Sequence, residues 1–286
     1  MHWFFTASAL FGIVSLSLIM VFLLKEGLPI FRHVSFKDFI FGTEWYPTDD
    51  PAAFGIFPLI LGSVYVTLLS GLIAVPLGIM TAVYLAQIAS PGLARIIKPV
   101  VELMASMPSV VIGFFAMVVV APFMQKVFDI PVGLNMFNAS LMLAFMAVPT
   151  ICSIAEDALF SVPASLKEAS FALGATHFET LTRVVIPASL SGICTAVILG
   201  LSRAVGETMV VLMAAGGAAM IPTSIFDPVR PLPASIAAEM AEAAFGSDHY
   251  HALFAIGLVL FVFTFVFNLM AAYISVKFRQ SGEASL

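Results

Sequence analysis

Charged side chains are scarce in this chain. Asp, Glu, Lys and Arg supply 10% of 286 residues, against roughly 25% in an average soluble domain. That deficit excludes an ordinary water-soluble fold, which needs far more polar surface. The 12 basic residues stand singly in a chain of net charge −5, so no basic stripe exists to hold a nucleic-acid backbone, and nucleic acid is excluded as a partner. The two cysteines, Cys152 and Cys194, both fall in apolar stretches, where free cysteine acts as a small hydrophobe; neither a disulfide framework nor a metal cluster is expected. The Gly-x-x-x-x-Gly-Lys-Ser/Thr phosphate cradle is missing. A P-loop site for ATP and its Mg is therefore excluded, and no cofactor is expected on this chain. No Lys or Arg precedes the first apolar run, and that run exceeds the core of about 7–15 residues in a signal peptide, which predicts a retained first helix.

What the chain has is apolar length. Hydrophobic residues make 61% of it and the mean hydropathy is +1.08. A membrane-spanning helix needs about 20 mostly apolar residues, and six stretches qualify: Phe4–Leu24, Pro58–Ala89, Leu103–Gln125, Asn138–Ala155, Leu190–Ala219 and Tyr250–Val276. The expected fold is all-α: one polytopic helical bundle over 1–286, with a transmembrane core at about 57–276 and an outer loop at about 25–56. Six spans put both termini on one side. With the termini inside, Arg95, Lys98, Lys167, Arg183, Lys277 and Arg279 face the cytoplasm and Lys25, Arg32, Lys37, Lys126 and Arg230 face out, a balance that leaves the orientation open. Helices associate in lipid by close approach at small residues. Ser70, Ala74 and Gly78 recur on one span, and Gly192, Ala196, Gly200 and Ala204 on another, so these stripes predict packing seams.

The loop at about 156–188 reads as two short helices. Ser165-Leu-Lys-Glu168 and Thr176-His-Phe-Glu179 are both capping-box sequences, each with a hydroxyl at the N-cap and a glutamate three residues on. Gly174 suits the C′ position of the first helix and Pro187 limits the second. Such an element can lay its surface in a groove on another protein.

One span carries charge. Gly200-Leu-Ser202-Arg203-Ala-Val-Gly206-Glu207-Thr208-Met209 puts a guanidinium and a carboxylate four residues apart within the fifth apolar stretch. Insertion scales set the cost of a central charge at about 2.5–3.5 kcal/mol, so such residues face a partner or a wet cavity. Two readings stand: an ion pair that fixes helix register, or an anion checkpoint in which Glu207 holds Arg203 while the site is empty. The flanking glycines leave room beside a planar fork suited to a tetrahedral oxyanion. The Ser106-Met-Pro108-Ser109 stretch either breaks the third span and exposes backbone donors, or kinks it. His249-x-His251 lacks a nearby third metal ligand. Asn138-Ala-Ser140 matches a glycosylation sequon at a span entrance and is expected to be idle.

Two resemblances add to this reading. Glu168-Ala169-Ser170, Gly174, Val184 and Ile186-Pro187 resemble, in residue type and in every gap, the EAA motif of type I (MetI-like) ABC importer permeases, with Ser170 in place of the second alanine. In that family the loop is the cytoplasmic coupling helix that docks on the ATPase. The resemblance thus assigns coupling to Glu168, Ala169, Ser170, Gly174 and Pro187, and implies cytoplasmic termini in a bacterial inner membrane. Glu44-Trp45-Tyr46-Pro47, Glu102 through Gly113, and Arg203-Ala-Val-Gly206-Glu207-Thr208-Met209 resemble segments of the phosphate-specific, PstC-type permease family. That likeness implies a transporter subunit and not an enzyme, with a substrate path past Arg203 and Glu207, to which the neighbouring Ser202 and Thr208 are added. It also implies a PstA-type second permease, a PstB-type ATPase dimer, a PstS-type phosphate-binding protein and inorganic phosphate as cargo. The rival readings are a permease for sulfate or molybdate, a phosphate-sensing membrane scaffold, and an intramembrane enzyme. The last lacks a histidine within the body of any span to serve as base, His251 standing at the edge of the sixth.

Overall fold

The computed structural model describes residues 2–277. Arg279, counted above on the cytoplasmic side, lies outside the described residues. Helix α1 (His2–Gly27) is apolar on all sides and runs into a 3-10 turn, Leu28–Arg32. A helix without a polar face is lipid-solvated or fully buried, and the long window through α1 is not buried inside the chain. There follow α2 (Phe36–Phe41) and a short antiparallel hairpin, β1 (Trp45–Tyr46) and β2 (Ala53–Phe54), in which Trp45 faces Phe54. Helix α3 (Phe57–Val83) ends in a π turn, Tyr84–Ile88. Next come α4 (Pro91–Ala105), α5 (Ser109–Phe115), a second π turn and α6 (Ala121–Phe128). Helix α7 (Met136–Phe160) crosses the bundle centre and leads into α8 (Ala164–Ala172) and α9 (His177–Thr180). A third π turn and α10 (Ile186–Ala188) precede α11 (Leu190–Val205) and α12 (Met209–Ala214). Two helices, α13 (Leu232–Glu239) and α14 (Asp248–Lys277), finish the bundle.

The predicted seams are where the helices touch. Ile151 of α7, fully buried, meets α3 and α11 at their glycines: a Cβ built on Gly78 would lie 2.8 Å from Ile151 Cβ, and one on Gly200 2.5 Å from its Cγ1. One turn from the start of α11, a Cβ on Gly192 would lie 2.3 Å from Ala158 Cβ. Ser70, Ala74, Ala196 and Ala204 are buried along the same stripes. Such approach supplies the van der Waals contact that must hold helices together where the surrounding solvent is itself apolar. A separate cluster at the hairpin end joins Ile30, Phe39, Trp45, Ile56, Leu232, Leu253 and Ile256.

Five helices among the described residues are long and apolar enough to span a membrane. A sixth span is bent, with 177–188 meeting α11 at 66°. Two expected spans change shape. The third starts at Ser109, not Leu103: α4 ends at Ala105 with Ser106 as its C-cap, and Pro108 forms the N-cap of α5, so the Ser106–Ser109 stretch is a break rather than a kink. The fifth does not continue to Ala219. Its helix stops at Val205, and Gly206-Glu207-Thr208 separate it from α12, consistent with a glycine penalty of about 1 kcal/mol in a helix interior. Beyond α12 the backbone pairs Gly216 with Val229 instead.

Overpacking a core costs roughly 1–3 kcal/mol, and Ala158 Cβ, fixed to its backbone, cannot swing away. Gly192→Ala is therefore expected to lower the melting temperature of the purified protein. Adding Ala158→Gly should restore most but not all of it, because glycine inside a helix itself costs about 0.5–1 kcal/mol.

Candidate substrate path and coupling element

Arg203 sits in the last turn of α11, and its side chain is exposed on the surface of the single chain. Among the described residues it has no hydrogen-bond or ion-pair partner. The expected pair with Glu207 is not formed. The physical reason is the break: Glu207 stands beyond the end of α11, so a spacing of four no longer means one helical face. Its carboxylate turns instead toward the start of α12, where Oε1 accepts a long 3.5 Å bond from Val210 N. Both side chains still line one crevice, with Leu143, Met146, Ala147, Gly200 and Ala204, of only ≈ 10 Å³. That is about the room one water needs, so the single chain encloses no anion site there. Ser202 Oγ is buried without a partner, and Thr208 Oγ1 reaches the Gly206 carbonyl at 3.4 Å.

The coupling element stands at the opposite end of the bundle from the hairpin. Of its two capping boxes one forms. Thr176 accepts from Glu179 N at 3.3 Å and Glu179 Oε2 accepts from Thr176 N at 2.9 Å. The Ser165 box does not form, because α8 starts two residues earlier with Pro163 as its N-cap; the fixed φ of proline presets the helical entry without a side-chain cap. Gly174 has φ +83°, and the bonds Gly174 N→Phe171 O and Ala175 N→Ser170 O close the Schellman motif that its position predicts. Glu168 and Ala169 are exposed on α8, and Pro187 lies in α10, two residues before the bend. Ser170 Oγ meets Thr180 Oγ1 at 2.9 Å, and Thr180 is buried.

Sequence reasoning missed three tertiary links at this end. Thr180 partners Ser170, Lys98 Nζ meets the buried Glu156 carboxylate at 3.2 Å, and Lys167 Nζ reaches Gln87 Oε1 at 3.4 Å. Each joins residues whose spacing carries no local signal. Apolar side chains crowd the exposed surface between α8 and α9, where Leu173 is 90% and Phe178 72% exposed, beside Leu166 and Phe171. An apolar patch of this kind on a polar element marks a contact with another protein.

Comparison with known proteins agrees with this architecture. The chain is 39% identical over 272 residues to a probable ABC transporter permease protein, YqgH, of Bacillus subtilis, covering 94% of this chain and 88% of the relative. It is 36% identical over 258 residues to the phosphate transport system permease protein PstC of Mesorhizobium japonicum, covering 84% and 78%. A bacterial alginate ABC transporter in complex with its periplasmic protein shares the fold at a TM-score of 0.69, with 17% identity, covering 98% of this chain and 96% of that one. An inward-facing MetNI methionine ABC transporter does so at 0.62, with 20% identity, covering 79% and 96%. Residues 74–280 match the family described as binding-protein-dependent transport system inner membrane component. With that match over most of its length and a bundle of membrane spans around α7, the chain belongs to this family of multi-pass ABC importer permeases, which work with an ATPase and a substrate-binding protein.

Proposed function

We propose that this chain is the permease subunit that carries inorganic phosphate inward across the cytoplasmic membrane, beside a PstA-type permease, above a PstB-type ATPase dimer and beneath a PstS-type binding protein. One observation carries the reading: an unpartnered guanidinium, Arg203, stands exposed at the helix break of a membrane bundle, and the Glu207 carboxylate, held only by a long bond from Val210 N, lines the same crevice. A charge left bare against lipid tails is costly, so that face belongs against a second permease, and the path lies between the two. Relatives named phosphate transport permeases, at 36% and 31% identity over most of the chain, support phosphate as cargo.

Arg203 binds the anion through its planar fork as the path opens. Glu207, beside it, repels a doubly charged phosphate, which keeps binding weak enough for release. Ser202 supplies a spare hydroxyl beside them, and Thr208 another. With the coupling element taken as cytoplasmic, both termini lie in the cytoplasm too, and 1–286 is read as one permease domain with its outer loop at about 25–56. Closure of the ATPase moves Glu168, Ala169, Ser170 and Gly174 together, because the Ser170–Thr180 bond ties α8 to the strand of helix that continues through Pro187 into α11. The motion is a rigid-body switch between two packings.

Losing a charge-assisted contact of about 1.5–3 kcal/mol predicts that Arg203→Ala lowers phosphate uptake in proteoliposomes roughly 10- to 150-fold, with Arg203→Lys in between. Wild-type uptake at limiting phosphate by an assembled Arg203→Ala complex overturns the reading, and competition by excess sulfate or molybdate would redirect it to another oxyanion. At the other end, Ser170→Ala and Thr180→Val should each raise the ATP hydrolysed per phosphate carried. In a double-mutant cycle on thermal stability their coupling should be about 0.5–1.5 kcal/mol, the worth of one hydrogen bond.

A further inference from the structure

Glu239 ends α13, outside every membrane span, yet its side chain is only 13% exposed. Groups from three separate stretches of chain converge on its carboxylate. Trp45 Nε1, from the hairpin, donates to Oε1 at 3.0 Å and to Oε2 at 3.1 Å. Arg230 Nη1 donates to Oε1, and His249 Nε2, near the start of α14, meets Oε2 at 2.8 Å. An ionised carboxylate offers about four lone-pair sites, and these contacts occupy them all. The Trp45 ring is buried and stands edge-on to His249, with centroids 6.3 Å apart. Two sequence features without a role in transport, the Glu-Trp-Tyr-Pro segment and the His249-x-His251 pair, thus meet at one acidic side chain.

Arg230 carries this junction toward the substrate path. Its Nε donates to the Gly217 carbonyl at 2.7 Å, while Gly217 N bonds Val229 O and Val229 N bonds Ala215 O. Residues 215–230 are therefore a loop sewn shut at its base, and its tip is closed by Asp227, which accepts from Thr223 N and Ser224 N. The loop begins directly after α12, and α12 begins directly after the Gly206–Thr208 break. On the other side, His33 contacts Asp248 at 2.8 Å and His251 Nδ1 contacts the Glu26 carbonyl at 2.7 Å, which binds the start of α14 to the end of α1. The hairpin packs on Ile30, Phe39 and Ile56. These elements form the cap at the end of the bundle away from the coupling element.

We infer that Glu239 is a positioning residue for the outer mouth of the path: it fastens the 215–230 loop to the hairpin and to α14, so that the segment leaving the Arg203–Thr208 break moves as one body with the cap. The inference rests on the reading that the path runs past Arg203. It gives the cap a task that an importer fed by a binding protein requires, because a push delivered at the cap reaches α12 through Arg230. The neutral isostere at position 239 removes the charge that holds Arg230 while keeping an acceptor for Trp45. Phenylalanine at position 45 removes only the indole N–H.

The test uses the assembled complex in proteoliposomes with Val229→Cys, a buried position at the base of the loop, and a membrane-impermeant maleimide outside. Glu239→Gln should speed labelling of that cysteine about tenfold, which corresponds to about 1.4 kcal/mol in the opening equilibrium, and should cut binding-protein-driven uptake. Trp45→Phe should shift both readouts in the same direction by less. Unchanged labelling in Glu239→Gln overturns the inference, since a merely structural brace would lower thermal stability without freeing the loop. Should Glu239→Gln not assemble, unchanged labelling in Trp45→Phe overturns it instead. Labelling reads the fastening whatever the cargo, so faster labelling together with no phosphate uptake by the unsubstituted complex would remove phosphate as cargo and leave the fastening standing.

Discussion

The bundle closes on Ile151. In water, a buried isoleucine would be drawn inward by the hydrophobic effect, but lipid tails are as apolar as its own side chain, so contact between helices must come from fit. Gly78 on α3 and Gly200 on α11 provide that fit, each leaving a space that Ile151 fills. The position of α11 follows from this contact. Because Arg203 lies one turn beyond Gly200 on the same helix, the depth and direction of the guanidinium are set by how closely α11 can approach α7. Gly192 against Ala158 secures the other end of α11 by the same means. A permease that must carry motion from one face of a membrane to the other needs such a helix, stiff and registered at both ends.

The break after Val205 is where stiffness stops. A continuous helix would have placed Glu207 over Arg203 and satisfied both charges internally, with no reason for either to meet an ion. Ending the helix at Val205 separates them and turns the chain toward α12, with Glu207 N bonded back to the Ala204 carbonyl and the Thr208 carbonyl accepting from Leu212 N. Irregular backbone at such depth is tolerated where it lines a protein-walled or wet space rather than lipid. The same logic applies at Ser106–Pro108, where α4 ends and α5 begins.

How much of this could be read from residues depends on the range of the interaction. Apolar length marked the spans, and four-residue recurrence marked the seams at Gly78 and Gly200, because both are properties of a single helix. Gly174 announced its own positive φ and Thr176 its own cap, since turn and cap chemistry act over a few residues. The Ser165 box failed because a neighbouring proline offered an earlier start, a competition that spacing alone does not rank. The separation of Arg203 from Glu207 failed for a related reason: four residues apart means neighbours only while the helix persists, and one glycine decided that it did not. The Ser170–Thr180, Lys98–Glu156 and Trp45–Glu239 contacts left no trace in the sequence, for each is set by where whole helices come to rest.

The crevice beside Arg203 bears on why a permease of this kind cannot act alone. Its ≈ 10 Å³ has room for about one water, whereas Arg203 is exposed on the surface of the chain. A cation that serves an anion within one chain would be expected to line that chain's own cavity. Here the charge is presented on the surface, and on the proposal that the path runs past Arg203 the space in which an ion is desolvated is shared with a second subunit. Sharing it makes the path open and close with the spacing of the two permeases. That spacing is what the far end of α11, bent at 66° into the coupling element, is placed to change.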